Sequence, residues 1–170
     1  MWAEILQNPS FEDNLWDVKH VAEMVKNDPE LNRASEMALP LPWEPLRYSQ
    51  GSRYAPQWEG AATAYRSLLL IALPDKTTGI RQKVYLPIHR TAHNVGSSYL
   101  KHVSGPAKVE VALRERNNPD HAFNSLEIKL SGAEWQRYEF ALDVPPHQLE
   151  PLAPADFVIA ASDETRVLID

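Results

Sequence analysis

The chain has 170 residues, 44% of them hydrophobic and 24% charged, with 17 Lys and Arg against 23 Asp and Glu for a formal net charge of −6. That size and balance suit one globular unit with its own core, and they argue against a disordered chain or a general attraction to nucleic acid or an anionic membrane. The lack of cysteine removes disulfides, thiolate nucleophiles and zinc–cysteine sites together, and no apolar run approaches the roughly 18 residues of a membrane span.

Met1 to Leu6 alternates weakly, and Pro9 forces extended backbone at Asn8, so residues 1–13 read as an edge strand or arm. Met1-Trp2-Ala3-Glu4 lacks the basic-then-apolar character of a signal peptide. After the caps Asp13 and Asn14, the residues Val18, Val21, Ala22 and Val25 fall at helical spacing and predict an amphipathic helix ending near Asn27-Asp28-Pro29. Leu39-Pro40-Leu41-Pro42-Trp43-Glu44-Pro45-Leu46 carries three prolines in six positions and reads as a rigid apolar connection without regular structure. Residues 14–59 therefore form a helix and a Pro-rich connection ahead of the main fold.

From residue 60 the chain breaks into short apolar or alternating runs at intervals of roughly ten residues, the pattern of an antiparallel sandwich. The runs are Ser67 to Leu73, Gly79 to Leu86, Ser97 to Val103, Ala107 to Arg114, Ser125 to Leu130, Trp135 to Leu142, Phe157 to Ala161 and Arg166 to Ile169. Turn chemistry separates them at Pro74 to Gly79, Ser104-Gly105-Pro106, Asn117 to Asp120 and Ser131-Gly132. No helical crossover lies between them, so a parallel sheet is excluded in favour of an all-β jelly-roll sandwich over 60–170.

Alternation sorts the strand residues by face. Arg81, Lys83 and Tyr85 point opposite Ile80, Val84 and Leu86; Tyr99 and Lys101 point opposite Leu100; Glu110 and Arg114 point opposite Val109, Val111 and Leu113. Where these polar faces share one sheet, they form a trough of flat rings and forked cations, the groups that sugar rings and their hydroxyls require. Tyr48, Arg53, Tyr54 and Trp58 sit in a polar stretch and are expected at its rim, with packing of Trp58 under the Pro-rich connection as the alternative for that ring, while Trp43 and Trp135 are expected to pack. A solvated outer face is the alternative. His89 and His93 would form a metal pair only on a helix, which Pro87 opposes, and Ser97, Ser98 and Asp163 belong to no nucleophile elbow.

Two stretches carry a resemblance. Met1-Trp2-Ala3-Glu4 through Asn8-Pro9-Ser10-Phe11-Glu12 resembles the opening motif of glycoside hydrolase family 51 α-L-arabinofuranosidases. Gly79-Ile80-Arg81-Gln82, Tyr99-Leu100-Lys101, Trp135 to Phe140 and Leu168-Ile169-Asp170 resemble carbohydrate-binding modules of families 4 and 9. The resemblance implies a module inserted near the N-terminus of such an enzyme, binding plant polysaccharide or oligosaccharide of arabinoxylan or arabinan type beside the parent's catalytic domain. It implies no catalytic residue here, since no Asn-Glu pair occurs and Glu4 belongs to the opening motif. It also implies a structural calcium held by Ser10, Glu12 and Asp170. Nucleic acid and membrane are not expected partners. The compartment stays open, secreted or periplasmic in a bacterium if the substrate is polymeric. Two rival readings are a structural module that supports the parent's catalytic domain or oligomer, with the 39–46 stretch as a docking surface, and a free-standing lyase or esterase.

Overall fold

A computed structural model describes residues 5–12, 39–40, 42–46, 53–58, 60–63 and 65–170, with Arg53 known by its backbone alone. Ten strands follow in chain order: β1 Glu44–Pro45, β2 Arg53–Gln57, β3 Ser67–Ile71, β4 Thr78–Tyr85, β5 His93–Ser104, β6 Lys108–Glu115, β7 Asn118–Lys129, β8 Gln136–Asp143, β9 Pro154–Ala161 and β10 Arg166–Ile169. They make two five-stranded antiparallel sheets, β1-β4-β9-β6-β7 and β2-β3-β10-β5-β8. The expected sandwich is present. Among the described residues there is no helix; the helix expected within 14–28 lies outside them.

The sandwich begins earlier than the sequence reading placed it, because β1 and β2 precede residue 60 and edge both sheets. Their prolines explain the difference. Pro45 and Pro56 sit on edge strands, where a missing N–H leaves no ladder bond unmade on the open side. The Pro-rich stretch is therefore regular in part, with Glu44 opposite Arg81 and Pro45 opposite Ile80.

Inward residues of both sheets form one core: Leu68 and Leu70 from β3, Ile80 and Val84 from β4, Val109, Val111 and Leu113 from β6, Phe157 and Ile159 from β9, and Val167 and Ile169 from β10. Central β9 is buried on both faces. Its outward Val158 and Ala160 lie with Ala112 beneath Leu46, which explains why Phe157 to Ala161 reads as an unbroken apolar run. Leu39, Trp43 and Leu46 are all buried, so these three apolar side chains of the 39–46 stretch do not form the exposed docking surface envisaged for a structural module.

Trp43 packs as expected. Its ring lies 5.4 Å from Phe11 and 6.4 Å from Phe157, and its Nε1 donates to the Asn8 carbonyl at 2.9 Å. The N-terminal arm is fixed by Gln82, a buried amide whose Oε1 accepts from Gln7 N at 2.6 Å and whose Nε2 donates to Gln7 O at 2.8 Å. This pair of bonds lets a side chain substitute for a strand neighbour and satisfies both ends of an amide that would otherwise be buried unpaired. Gly79 meets a different demand. A Cβ there would stand 2.8 Å from the Ile159 carbonyl and 3.0 Å from Leu46, so only glycine lets Leu46 close over the sheet.

Candidate functional site

Register and burial put Arg81, Lys83 and Tyr85 on the outer face of the β1-β4-β9-β6-β7 sheet, with Glu110 and Arg114 two strands away on the same face. Tyr99 and Lys101 lie on β5, in the other sheet, pointing away from the core opposite Arg137 and Leu168. The two sets occupy opposite sides of the sandwich. The shared trough drawn from alternation is therefore not formed, because strand periodicity reports a face and says nothing about which sheet a strand joins.

The arginines of the first set are also committed elsewhere. Asp156, only 1% exposed, receives Arg81 Nη1 at 3.1 Å and Arg116 Nη1 at 2.5 Å, and both arginines reach Glu44, at 3.2 and 2.9 Å. These four side chains close a ring that ties β1 to β4 and β9. Burial opposes the charge on Arg116, but hydrogen bonds and attraction to Asp156 and Glu44 outweigh it and raise its pKa above the ordinary guanidinium value. Arg114 donates to Glu110 Oε1 at 2.6 Å and to the Pro119 carbonyl. Arg81 and Arg114 are thus structural cations. Lys83 and Tyr85 remain at the surface, with Lys83 Nζ 5.7 Å from the Tyr85 ring.

The expected rim divides. Tyr48 lies outside the described residues. Tyr54 is a core residue, 5% exposed, whose hydroxyl crosses between sheets to donate to the Gly79 carbonyl at 2.7 Å. Trp58, in contrast, stands 58% exposed on the loop joining β2 to β3, with the Arg66 guanidinium 4.0 Å from its ring centroid. On the same loop Tyr65 is 81% exposed, and Trp135, just before β8, donates its Nε1 to the Gly60 carbonyl at 2.6 Å. Trp58 and Arg66 bring together a solvent-facing ring and a planar cation, and Tyr65, next to Arg66 in the chain, exposes a second ring on the same loop. This pairing of flat apolar faces with forked donors is the one that sugar recognition uses.

The residues expected to hold calcium meet at this loop. Glu12 Oε1 accepts from Tyr65 N and Arg66 N, each at 2.8 Å; Asp170 Oδ2 accepts from Ala62 N and Thr63 N at 2.8 Å, and its Oδ1 from the Thr63 hydroxyl at 3.0 Å. Ser10 shares a cavity of about 180 Å³ with Thr63 and Asp170. These are hard oxygen donors of the kind calcium takes, but Glu12 Oε1 and Asp170 Oδ2 each already accept two N–H groups, so calcium would have to use Glu12 Oε2 and the second lone pair of Asp170 Oδ1. Among the described residues no third His, Asp, Glu or Cys joins them. His93, weighed as a metal residue, instead pairs through Nδ1 with Asp143 at 2.6 Å.

No family model matches the sequence, and neither does any curated protein. Solved structures do. A CBM4 structure aligns with a TM-score of 0.58 at 15% identity, covering 96% of this chain and 94% of that one. TmCBM61 in complex with β-1,4-galactotriose gives 0.54 at 14% identity, covering 99% and 95%. Arabinose-bound MgGH51 α-L-arabinofuranosidase gives 0.60 at 16% identity, covering 98% of this chain and 25% of that enzyme. The chain thus has the β-sandwich fold of carbohydrate-binding modules.

Tyr65, Arg66 and Trp135 were absent from the site read in the sequence. Ala61-Ala62-Thr63-Ala64-Tyr65-Arg66 has no periodicity, and its one signal was a tyrosine in a run of small residues with no core partner nearby in sequence.

Proposed function

We propose that the chain is a non-catalytic module that binds a neutral plant cell-wall polysaccharide of arabinoxylan or arabinan type and holds it near an attached α-L-arabinofuranosidase-type hydrolase. The observation that carries this reading is Trp58, a large ring kept in water on a pinned loop beside an aligned guanidinium. Sugar stacks on the indole face opposite Arg66, and guanidinium and loop polar groups meet its hydroxyls. The negative net charge accords with a neutral ligand. Tyr85 and Lys83, on the outer face of the first sheet, supply a further exposed ring and amine outside this loop. Affinity is micromolar to millimolar, since sugar hydroxyls exchange water for protein almost evenly and ring contact supplies the surplus.

Isothermal titration with soluble arabinoxylan and arabinan tests the reading. Trp58→Ala is expected to weaken binding about tenfold or more, because covering an aromatic ring stabilises by roughly 1.5–3 kcal/mol, while leaving the melting temperature unchanged. No heat and no retention on any plant polysaccharide would overturn it. We also propose that Glu12, Asp170 and Ser10 hold a calcium ion that fastens the chain ends to the 58–66 loop without touching sugar. A second reading, a buttress for the parent's catalytic domain, is favoured by Val95 and Val103, 60% and 47% exposed on β5. An isolated module that binds no glycan but is stabilised by the parent enzyme would select it.

A further inference from the structure

We propose that Glu12 and Asp170 are positioning residues for the carbohydrate site, a carboxylate clamp that sets the geometry of the rings on the 58–66 loop; this rests on the proposed binding at Trp58. Two pairs of consecutive amides, Ala62–Thr63 and Tyr65–Arg66, each converge on one carboxylate, and the Thr63 hydroxyl adds a fifth donor. The acceptors are remote in sequence. Asp170 is 107 and 108 residues from its partners, and Glu12 is 53 and 54 from its own. Trp135 adds a third fixed point at Gly60.

The physical need for the clamp follows from what the loop exposes. Trp58 and Tyr65 keep most of their surface in water, so hydrophobic burial contributes little to ordering the backbone that carries them. Ordering each backbone residue costs conformational entropy, and hydrogen bonds to a charged acceptor, stronger than those to a neutral one, are the available compensation. The bonds also fall at the residues that matter. The amides of Tyr65 and Arg66 are themselves held by Glu12, so the carboxylate fixes the backbone from which one exposed ring and the guanidinium on Trp58 both project. A ring held in place before sugar arrives loses less freedom on binding, which strengthens affinity without adding a contact. Glu12 lies on the N-terminal arm and Asp170 directly after β10, so both ends of the described fold converge on the binding loop.

The test uses the full chain in EDTA throughout, so that metal plays no part, with three readouts: amide hydrogen exchange by NMR, melting temperature, and titration with soluble arabinoxylan. Glu12→Ala is expected to speed exchange at Tyr65 and Arg66 by about tenfold or more while Leu70 and Val111 keep their protection, and to weaken binding about tenfold, the effect of losing about 1.4 kcal/mol. Asp170→Ala is expected to do the same at Ala62 and Thr63. Glu12→Gln, which keeps an acceptor oxygen at the same reach, is expected to recover most of the protection and affinity; it also serves if an alanine variant does not fold. Unchanged exchange at these amides, or faster exchange with unchanged affinity, overturns the clamp while leaving the binding reading standing. Wild-type protein that binds no polysaccharide yet shows the exchange pattern overturns the binding reading and the positioning role with it.

Discussion

Replacing Asp156 with alanine is expected to destabilise the protein by about 2–4 kcal/mol. Its carboxylate is 1% exposed and is the shared acceptor for Arg81 and Arg116, whose side chains are 15% and 23% exposed. Removing one member of a buried ion pair costs roughly 3–5 kcal/mol, mostly because the partner charges stay desolvated. Here the lower end applies, since both arginines retain Glu44, itself 26% exposed. At about 2–4 °C per kcal/mol for a chain of this length, the melting temperature falls by about 4–16 °C. Urea unfolding followed by tryptophan fluorescence gives the free energy directly. Within the ring, a pH dependence is set by Arg116. Its folded pKa is raised, so its contribution is complete below the ordinary guanidinium value and fades only as pH climbs through the raised one. The contribution of Arg116 is therefore flat across the neutral range. A loss below about 0.5 kcal/mol, the size of an exposed pair, would refute the claim that burial makes this ring structural.

Three further outcomes follow from the packing and the clamp. Gly96→Ala places a Cβ 2.5 Å from Phe140 Cε2, and Phe140 stacks on Phe157 at 6.0 Å; a loss of about 1–3 kcal/mol is expected in urea unfolding, relieved in part by adding Phe140→Leu. Tyr54→Phe removes the buried bond to the Gly79 carbonyl, which keeps its bond from Leu46 N, so about 1 kcal/mol is expected by the same assay. If calcium sits at Glu12 and Asp170, adding EDTA lowers the melting temperature and excess calcium restores it; an unchanged melting curve removes the metal from the account.

Strands with a strong local pattern were legible in the chain. The runs Ser67 to Leu73, Gly79 to Leu86 and Ala107 to Arg114 emerge as β3, β4 and β6 within two residues of those limits, while Phe157 to Ala161 is the later part of β9, which begins three residues earlier at Pro154. The first four residues of β5, His93 to Gly96, were not legible. They are small or polar, and they form strand because they pair with β8 from His93 opposite Asp143 onward. The start of β7 read as a turn for a similar reason, since Asn118-Pro119-Asp120 has turn chemistry while pairing on a sheet edge. For the site, alternation assigned Tyr99 and Arg81 to outward faces correctly, but sheet membership depends on β9 and β10, which arrive last in the chain and separate β4 from β5. Trp58 stands exposed at 58%, one of the two outcomes its polar, loop-like surroundings left open. Tyr54, four residues earlier, carried the same local signal and became core, since its partner carbonyl at Gly79 is 25 residues away.

Proline on the sheet margins has a consequence for how such a module behaves at high local concentration. Pro45, Pro56 and Pro119 lie on three of the four outermost strands, and the fourth, β8, presents Arg137, Glu139 and Asp143 toward solvent. An open margin invites a neighbour's backbone to add another strand, and missing donors or fixed charge discourage it. Strand addition between neighbouring copies is therefore disfavoured at all four of these margins even when the copies are crowded together.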